Sequence, residues 1–404
     1  MISGINDENV IGENIMRKVI FVTKALWIGG IETALVNLLN NLDYETYDVT
    51  LLVLHAELNL LQHINKNCKI LIIDRDDTYS FNKEYKFSKL YHMLEDAKDP
   101  SILHRMFLWT KPLIKWLENK LYICYIRSLV KKEYFDTCVI YSDVIAETAI
   151  KSINANRYLM FYHHGSMRHV YHDKIAYKKC EKIIAVSENQ ANELKRFVPR
   201  AANKIIVIHN LTDLNSIRKR AVELTEEKFD SQKFHIVTVG RVSYEKGMDL
   251  AVLACERLVK NGFKNICWWI VGDGPAMEEI KNLVNKKKVE SYVKLVGMKE
   301  NPYPYMRQAN LYVQPSRIES FGLTILEALI IGKKVIATNT WGAKQLLCNR
   351  VDGILCDIDD ASLANKIKEL LEKQQFNVHS NIFEIEKMCI EKNKQALRII
   401  KKIL

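Results

Sequence analysis

The sequence of 404 residues has no run of about 20 apolar residues, so we expect no helix that spans a membrane. Its first 16 residues carry Asp7, Glu8 and Glu13 and lack an apolar segment, which argues against a signal peptide. The nine cysteines include no Cys-x-x-Cys pair, and this favours reduced, buried thiols over a disulfide framework or a zinc site. These absences predict a cytoplasmic protein that holds no metal.

Positive charge is in excess, with a formal net charge of +11 and a pI of about 9.0. This balance fits an anionic partner, which would be a nucleic acid, a phosphorylated small molecule or an acidic membrane surface. The sequence contains no groove-reading motif, so we expect no nucleic acid as a partner.

Short apolar runs alternate with helical segments, a pattern typical of parallel sheets that are covered by helices on both faces. In the first half the predicted strands are 18–23, 49–53, 69–73, 138–141, 159–162, 182–186 and 205–208. In the second half they are 234–240, 267–271, 293–296, 311–313 and 334–337. The charged segment 215–232 has no strand pattern and is the predicted linker. The sequence therefore predicts an α/β protein of two doubly wound domains, with a ligand site beyond the carboxyl ends of the strands.

The segment 111–132 does not follow this alternation. Its apolar side chains, Leu113, Trp116, Leu117 and Leu121, fall on one helical face, and its charged residues are almost all basic. Basic residues beside interfacial aromatics suit an amphipathic helix that lies on an anionic bilayer. The alternative is an ordinary domain helix that packs its aromatic residues on the sheet, and both interpretations stay open.

Two glycine-bearing turns follow strands of the second half. The turn Gly240–Gly247 brings Arg241 and Lys246, and these residue types bind phosphate as a bidentate fork and as a point charge. The turn Gly272-Asp273-Gly274 reads either as a tight connection or as the rim of a nucleotide pocket. Each short motif is weak evidence when it stands alone.

Glu319 and Glu327 flank a Phe-Gly-Leu-Thr turn that opens an apolar helix. The N–H groups at the start of a helix make an anion site, and carboxylates accept hydrogen bonds from hydroxyl groups. Because apolar residues surround Glu327 on the helix, its carboxylate is expected to be largely buried and to need a partner. The pattern suggests a diphosphate at the helix start, with hydroxyl-bearing groups at either end.

Taken together, Gly240-Arg241 with Lys246-Gly247, the Gly-x-Gly turn, and Glu319 with Glu327 resemble the retaining glycosyltransferases of family four. The resemblance is strong over 234–358 and looser over 17–210. It implies a GT-B fold, in which two Rossmann-like domains, 17–212 for the acceptor and 213–381 for the donor, face each other across a cleft. It also implies that the last helix, 382–404, crosses back to the N-terminal domain.

The resemblance implies a role for each matching residue. Arg241 and Lys246 would bind the donor diphosphate, Glu319 would contact the transferred sugar and Glu327 would hold the ribose. The catalytic candidates are Glu319 and a histidine near the reacting sugar, for which both His163 and His164 are open, with His163 preferred. Further residues implied to bind the donor are Gly29, Gly30, Gly272, Met298, Phe321, Gly322 and Leu323.

The implied reaction moves a hexose or N-acetylhexosamine from a nucleotide-diphosphate sugar, with uridine the commoner base, to a glycan or lipid-linked acceptor. It would proceed with retention and without a metal or other cofactor, in the synthesis of cell-surface polysaccharide. Two alternatives stay open: a non-catalytic scaffold subunit for a partner glycosyltransferase, and a nucleotide-sugar epimerase of the same fold. The presence of Arg241, Lys246, Glu319 and Glu327 favours the enzyme over the scaffold.

Overall fold

The computed structural model describes residues 16–55, 58–73, 116–117, 119–163, 174–348, 350–373 and 382–404. Within these ranges the strands form two sheets, of seven and six strands, and every pair of neighbouring strands runs parallel. The α/β architecture that the sequence predicts is therefore confirmed.

The first sheet has the order β3-β2-β1-β4-β5-β6-β7. Its strands are β1 (Arg17–Thr23), β2 (Tyr47–Val53), β3 (Lys69–Ile72), β4 (Tyr134–Ile140), β5 (Asn154–Tyr162), β6 (Lys182–Ala185) and β7 (Ile205–Val207). Among the described residues, the helices of this half are α1 (Gly30–Asn40), α2 (119–129), α3 (Ala146–Ser152), α4 (Lys174–Lys179) and α5 (Glu188–Phe197).

The second sheet has the order β10-β9-β8-β11-β12-β13. Its strands are β8 (Phe234–Val239), β9 (Ile266–Val271), β10 (Val293–Gly297), β11 (Leu311–Gln314), β12 (Val335–Thr338) and β13 (Gly353–Cys356). The remaining helices are α6 (Leu214–Ala221), α7 (Met248–Lys260), α8 (Met277–Lys287), α9 (Tyr303–Gln308), α10 (Leu323–Ile330), α11 (Trp341–Leu347), α12 (Asp360–Lys373) and α13 (Ile382–Ile403).

Each predicted strand overlaps a strand of the structure, because a strand buried on both faces reads as a continuous apolar run. The interior strand β9, for example, is buried along its whole length. The sequence analysis missed β13, a strand of only four residues at the edge of its sheet. The predicted linker 215–232 contains most of α6 and the loop that follows it.

The last helix, α13, packs against both halves of the protein. Its first turns bury Ile385 and Cys389 in the core of the second half, and its last turns bury Ala396 and Ile400 in the core of the first. Between these parts, Asn393 exchanges two hydrogen bonds with the backbone of Thr212, at 2.8 and 3.1 Å. The domain limits 17–212, 213–381 and 382–404 stay a proposal, and this packing agrees with them.

Helix α2 lies within 111–132, the segment that the sequence assigns either to a membrane surface or to an ordinary domain helix. Its later turns pack on the first sheet, where Ile126 and Val130 are buried. Ahead of them, Trp116, Leu117 and Leu121 are 51%, 47% and 51% exposed. Residues 111–115, with Lys111, Leu113 and Lys115, lie outside the described residues. No helix within the described ranges is both long and apolar enough to cross a membrane.

Candidate functional site

Both sheets reverse their strand order beside their first strand, β1 in one sheet and β8 in the other. Open parallel sheets bind ligands outside the carboxyl ends of the strands at such a point. The loop after β1 carries Gly29, the loop after β8 carries Arg241 and Lys246, and the loop after β11 carries Glu319. The sequence motifs therefore meet at the position that the topology favours for a ligand.

Lys246 and Glu319 form an ion pair, with Lys246 Nζ 2.7 Å from Glu319 Oε2. The same carboxylate oxygen accepts a hydrogen bond from the Ser316 hydroxyl at 3.2 Å. The Glu319 side chain is 11% exposed and that of Lys246 is 25% exposed. The pair thus lies partly sheltered between the loops that follow β8 and β11.

Arg241 is exposed at the end of β8, where its charge acts on Glu32 of the other half and on Glu245 of its own loop. Gly272 packs directly against the loop after β8. On its other side, its N–H donates to Gly297 O at the end of β10, at 2.8 Å, and its φ is +149°. A Cβ at Gly272 would lie 1.9 Å from the carbonyl oxygen of Gly240. This packing confirms the tight connection, whereas the rim of a nucleotide pocket stays a prediction for this turn.

Helix α10 begins at the predicted anion site. Its N-cap is Gly322, with a φ of +83°, and no side chain caps the helix start. The loop before it is held by helix α11, because Gly342 N–H donates a hydrogen bond to Glu319 O at 2.9 Å. Phe321 is buried, and its ring centre lies 6.0 Å from that of His209. The ammonium group of Lys392 lies 5.8 Å from the centre of the same ring. Phe321 can therefore offer a ligand its backbone and not its side chain.

Glu327 is half-buried on α10, and Tyr303 OH donates a hydrogen bond to its Oε1 at 3.1 Å. Burial raises the pKa of Glu327 to about 7, while the hydroxyl of Tyr303 and the charge of Arg220 act in the opposite direction. Burial also raises the pKa of Tyr303 well above its ordinary value. The partner that the sequence required for this carboxyl is thus a tyrosine on α9.

A cavity of about 150 Å³ lies beside Glu327, between α1 of the first half and α10 of the second. Its polar side chains come from both halves. They are Thr33, Asn37, Asn40, His63 and Thr212 on one side and Asp213, Ser216, Arg220, Tyr303 and Glu327 on the other. The cavity is of a size and polarity that suit part of a hydroxyl-bearing ligand.

The two halves approach each other closely at Gly30. A Cβ at this first residue of α1 would lie 3.0 Å from Leu323 Cδ1 at the start of α10. Two helix starts, those of α1 and α10, therefore face the same cleft, and each offers backbone N–H groups to an anion. The structure thus brings Gly30 close to Leu323. That both bind the donor, with the adjacent Gly29 and Gly322, stays a prediction from the resemblance.

His163 follows β5 and is buried, with its ring centroid 4.7 Å from that of Tyr141 and 5.7 Å from that of Phe161. Its carbonyl oxygen accepts a hydrogen bond from Ser320 Oγ at 3.5 Å, which places it beside the Glu319 loop. His164 lies outside the described residues. The preference for His163 stays a prediction, as do the roles of the other site residues.

Met298 lies on the loop after β10 and is 54% exposed, which leaves its side chain at the edge of the site. The sequence analysis missed Tyr303 and Arg220, which surround Glu327, and also Glu32 in the first turn of α1. Glu32 alone had a usable signal in the sequence, because it stands three residues after Gly29 and before an apolar helical segment. Among the described residues, no three His, Cys, Asp or Glu side chains cluster as a metal site would require.

Two family models match the chain. The model described as Glycosyltransferase Family 4 matches 28–216, and the model described as Glycosyl transferases group 1 matches 220–395. Among curated relatives, an N-acetylgalactosamine-N,N'-diacetylbacillosaminyl-diphospho-undecaprenol 4-alpha-N-acetylgalactosaminyltransferase of Campylobacter jejuni is 26% identical over 57% of this chain and 62% of its own length. An alpha-D-kanosaminyltransferase of Streptomyces kanamyceticus is 24% identical over 50% of this chain and 53% of its own. The chain thus spans a little over half the length of these two relatives.

Solved structures agree on the fold. Anabaena Alr3699/HepE, in complex with UDP and glucose, superposes with a TM-score of 0.69 at 17% identity, covering 96% of this chain and 100% of that one. Staphylococcus aureus TarM gives a TM-score of 0.68 at 14% identity, covering 95% and 98%. These likenesses confirm the expected GT-B fold. The two family models, which together match 28–216 and 220–395, show that this chain belongs to the family 4 and group 1 glycosyltransferases.

Proposed function

We propose that this protein is a retaining glycosyltransferase that moves a hexose or N-acetylhexosamine from a nucleotide-diphosphate sugar to a glycan or lipid-linked acceptor. One observation carries the proposal: the loops after β8 and β11, which carry Arg241, Lys246 and Glu319, meet in the Lys246–Glu319 ion pair just before α10, the helix that carries Glu327. The proposal is also supported by the family to which the chain belongs.

The geometry supplies what a diphosphate leaving group requires. Arg241, Lys246 and the start of α10 would stabilise the negative charge that develops as the anomeric carbon–oxygen bond breaks. Glu319, held by Lys246 and Ser316, would orient hydroxyl groups of the transferred sugar. We propose that these groups suffice without a metal, and that the donor phosphate accepts the proton of the attacking hydroxyl on the same face of the sugar.

The nucleoside would lie in the cavity beside Glu327, where the carboxyl and its Tyr303 partner are placed to bind ribose hydroxyls. We propose uridine as the base, and His163 as the histidine near the reacting sugar. Its position beside Ser320, one residue after Glu319, supports this role.

We propose in particular a lipid-linked acceptor, because the Campylobacter jejuni relative is named for a substrate that carries diphospho-undecaprenol. The exposed side chains of Trp116, Leu117 and Leu121, with Lys120 Nζ 3.8 Å from the centre of the Trp116 ring, would contact an anionic membrane surface. Flotation with anionic vesicles should carry the wild-type protein upward, and Lys120→Glu with Trp116→Ser should release it. Flotation unchanged by this double substitution would remove the membrane contact from the proposal.

The proposed function is tested by incubating the protein with radiolabelled uridine, guanosine and adenosine diphosphate sugars, with and without a lipid-linked glycan acceptor. Transfer to the acceptor supports the proposal, whereas a changed sugar in the absence of any acceptor would indicate the epimerase. If no donor is hydrolysed or transferred, and Glu327→Ala leaves nucleotide affinity unchanged, the proposed function fails.

A further inference from the structure

Glu32 occupies an unusual position at the start of α1. It is the third residue of the helix, whose N-cap residue, Gly29, has no side chain that could cap it. A Cβ placed on Gly29 would lie 2.5 Å from Glu32 Oε2, so the carboxyl group folds back over the glycine. The carboxyl thus covers the helix start that faces the cleft, in the space that only a glycine leaves.

The neighbours of Glu32 connect it both to the group assigned to the donor diphosphate and to the group assigned to the reacting sugar. From the second half, the charge of Arg241 acts on its carboxyl. In the first half, burial raises the pKa of Tyr141, and the charge of Glu32 adds to that rise. Tyr141 in turn packs on His163. Glu32 therefore lies between the arginine assigned to the donor diphosphate and the histidine assigned to the reacting sugar.

The protonation state of Glu32 determines how its carboxyl group can interact with a phosphate. Burial raises the pKa of its carboxyl to about 7, against the opposing effects of its own N–H and of Arg241. An ionised carboxylate next to a diphosphate would repel it, because like charges a few ångströms apart interact strongly in a partly buried site. A protonated carboxyl group instead has an O–H to donate.

We propose that Glu32 binds the donor diphosphate as an uncharged carboxylic acid, donating a hydrogen bond to a phosphate oxygen. This inference rests on the proposed function, since it assigns a further residue to the same donor site. The competing explanation is that Glu32 merely caps α1, as a glutamate at the third helical position often does. The two explanations differ in what removal of the carboxyl does to donor affinity.

Calorimetric titration with intact nucleotide sugars distinguishes the two explanations of Glu32. A sugar-linked diphosphate keeps a constant charge between pH 6 and pH 8.5, so a change in affinity over this range comes from the protein. Uridine, guanosine and adenosine diphosphate glucose are the probes, and the tightest is used throughout. Wild-type affinity should fall about tenfold or more from pH 6 to pH 8.5, as Glu32 ionises. Glu32→Gln keeps a hydrogen-bond donor, so it should bind within about threefold of wild type at pH 6 and lose most of this decline.

Glu32→Ala should bind about tenfold more weakly than wild type at pH 6. Glu384→Gln, which alters an exposed first-turn glutamate of α13, is the matched control and should behave as wild type. The inference is overturned if Glu32→Ala lowers only the melting temperature, or if Glu32→Gln loses affinity with pH as wild type does. If Arg241→Ala abolishes binding while both Glu32 variants bind normally, this inference alone fails; if wild type binds none of the probes, the proposed function fails with it.

Discussion

Lys246 Nζ lies 2.7 Å from Glu319 Oε2, so the cation assigned to the donor phosphates also fixes the carboxylate assigned to the sugar. The two residues stand 73 positions apart and are joined only because the loops after β8 and β11 lie side by side. A change at either residue should therefore disturb its partner as well as the ligand, and the two disturbances have different kinetic signatures.

We predict that Lys246→Met lowers both donor affinity and kcat, because it removes phosphate charge and releases Glu319. Glu319→Gln should lower kcat/KM by about 100-fold while leaving the affinity for the nucleotide diphosphate alone within about threefold, since the carboxylate serves the sugar. Steady-state kinetics beside calorimetry with the diphosphate distinguish these results. Equal losses of diphosphate affinity in both variants would contradict the separate roles.

Glu327 gives a prediction about stability and pH. Its pKa is raised from 4.5 to about 7 in the fold, so the folded state binds more protons than the unfolded state between these values. Stability should therefore fall as pH rises from about 4.5 to about 7, and change no further from this group above that range. Because the side chain is only half-buried, we expect a loss of roughly 1–3 kcal/mol.

Glu327→Gln is the control for this effect, because its amide oxygen can still accept the Tyr303 hydrogen bond while it cannot ionise. Urea unfolding of both proteins between pH 5 and pH 7.5 should show the wild type losing stability relative to the variant. A constant difference across this range would show that Glu327 titrates in the fold as it does in the unfolded chain. Donor affinity of the variant should drop, since a ribose hydroxyl loses a charged acceptor.

Gly272 should not tolerate any side chain. In Gly272→Ala the new Cβ would overlap the carbonyl oxygen of Gly240, and the φ of +149° is itself unfavourable for alanine. Gly262 also has a positive φ, +90°, but its Cβ would meet nothing within 4 Å. We expect Gly262→Ala to cost about 1 kcal/mol and Gly272→Ala at least about 3 kcal/mol, as measured by thermal unfolding. Similar melting temperatures for the two variants would contradict the predicted overlap.

The site residues that could be identified from the sequence are those that stand in a short motif next to a strand. Arg241, Lys246 and Glu319 each follow an apolar strand, so parallel topology alone brings them to one edge. Tyr303 reaches Glu327 across 24 residues, and no local pattern specifies that contact. The contact of Gly30 with Leu323 depends on how the two halves face each other, which periodicity within either half does not encode.

The strand β13 and the residue Glu32 show two further limits. β13 has four residues, of which Gly353, Ile354 and Leu355 are only partly buried at the sheet edge, so its apolar run is too short to stand out. Glu32 lies in a first turn, where a glutamate is ordinarily explained by the helix dipole. Its charge environment appears only when Arg241 of the other half is placed opposite it.

Asn393 provides the last prediction, because its side chain joins α13 to the segment that connects the two sheets. It donates to Thr212 O at 2.8 Å and accepts from Thr212 N at 3.1 Å, in partly buried surroundings. Asn393→Ala leaves both backbone groups of Thr212 without this partner, so we expect a loss of about 1–3 kcal/mol in the free energy of unfolding. Lys394→Ala, at the exposed neighbouring position, should stay within about 0.5 kcal/mol of wild type.

The same substitution should also affect the cleft between the two halves. Thr212 lines the cavity beside Glu327, and its neighbour Leu211 accepts a hydrogen bond from Asn37 of α1 at 3.0 Å. Loosening this segment should raise the donor KM more than it lowers kcat, because the halves must be held together to bind one ligand between them. Urea unfolding and initial-rate kinetics of Asn393→Ala measure the two effects. A destabilised variant with an unchanged donor KM would show that α13 fastens the fold without setting the geometry of the cleft.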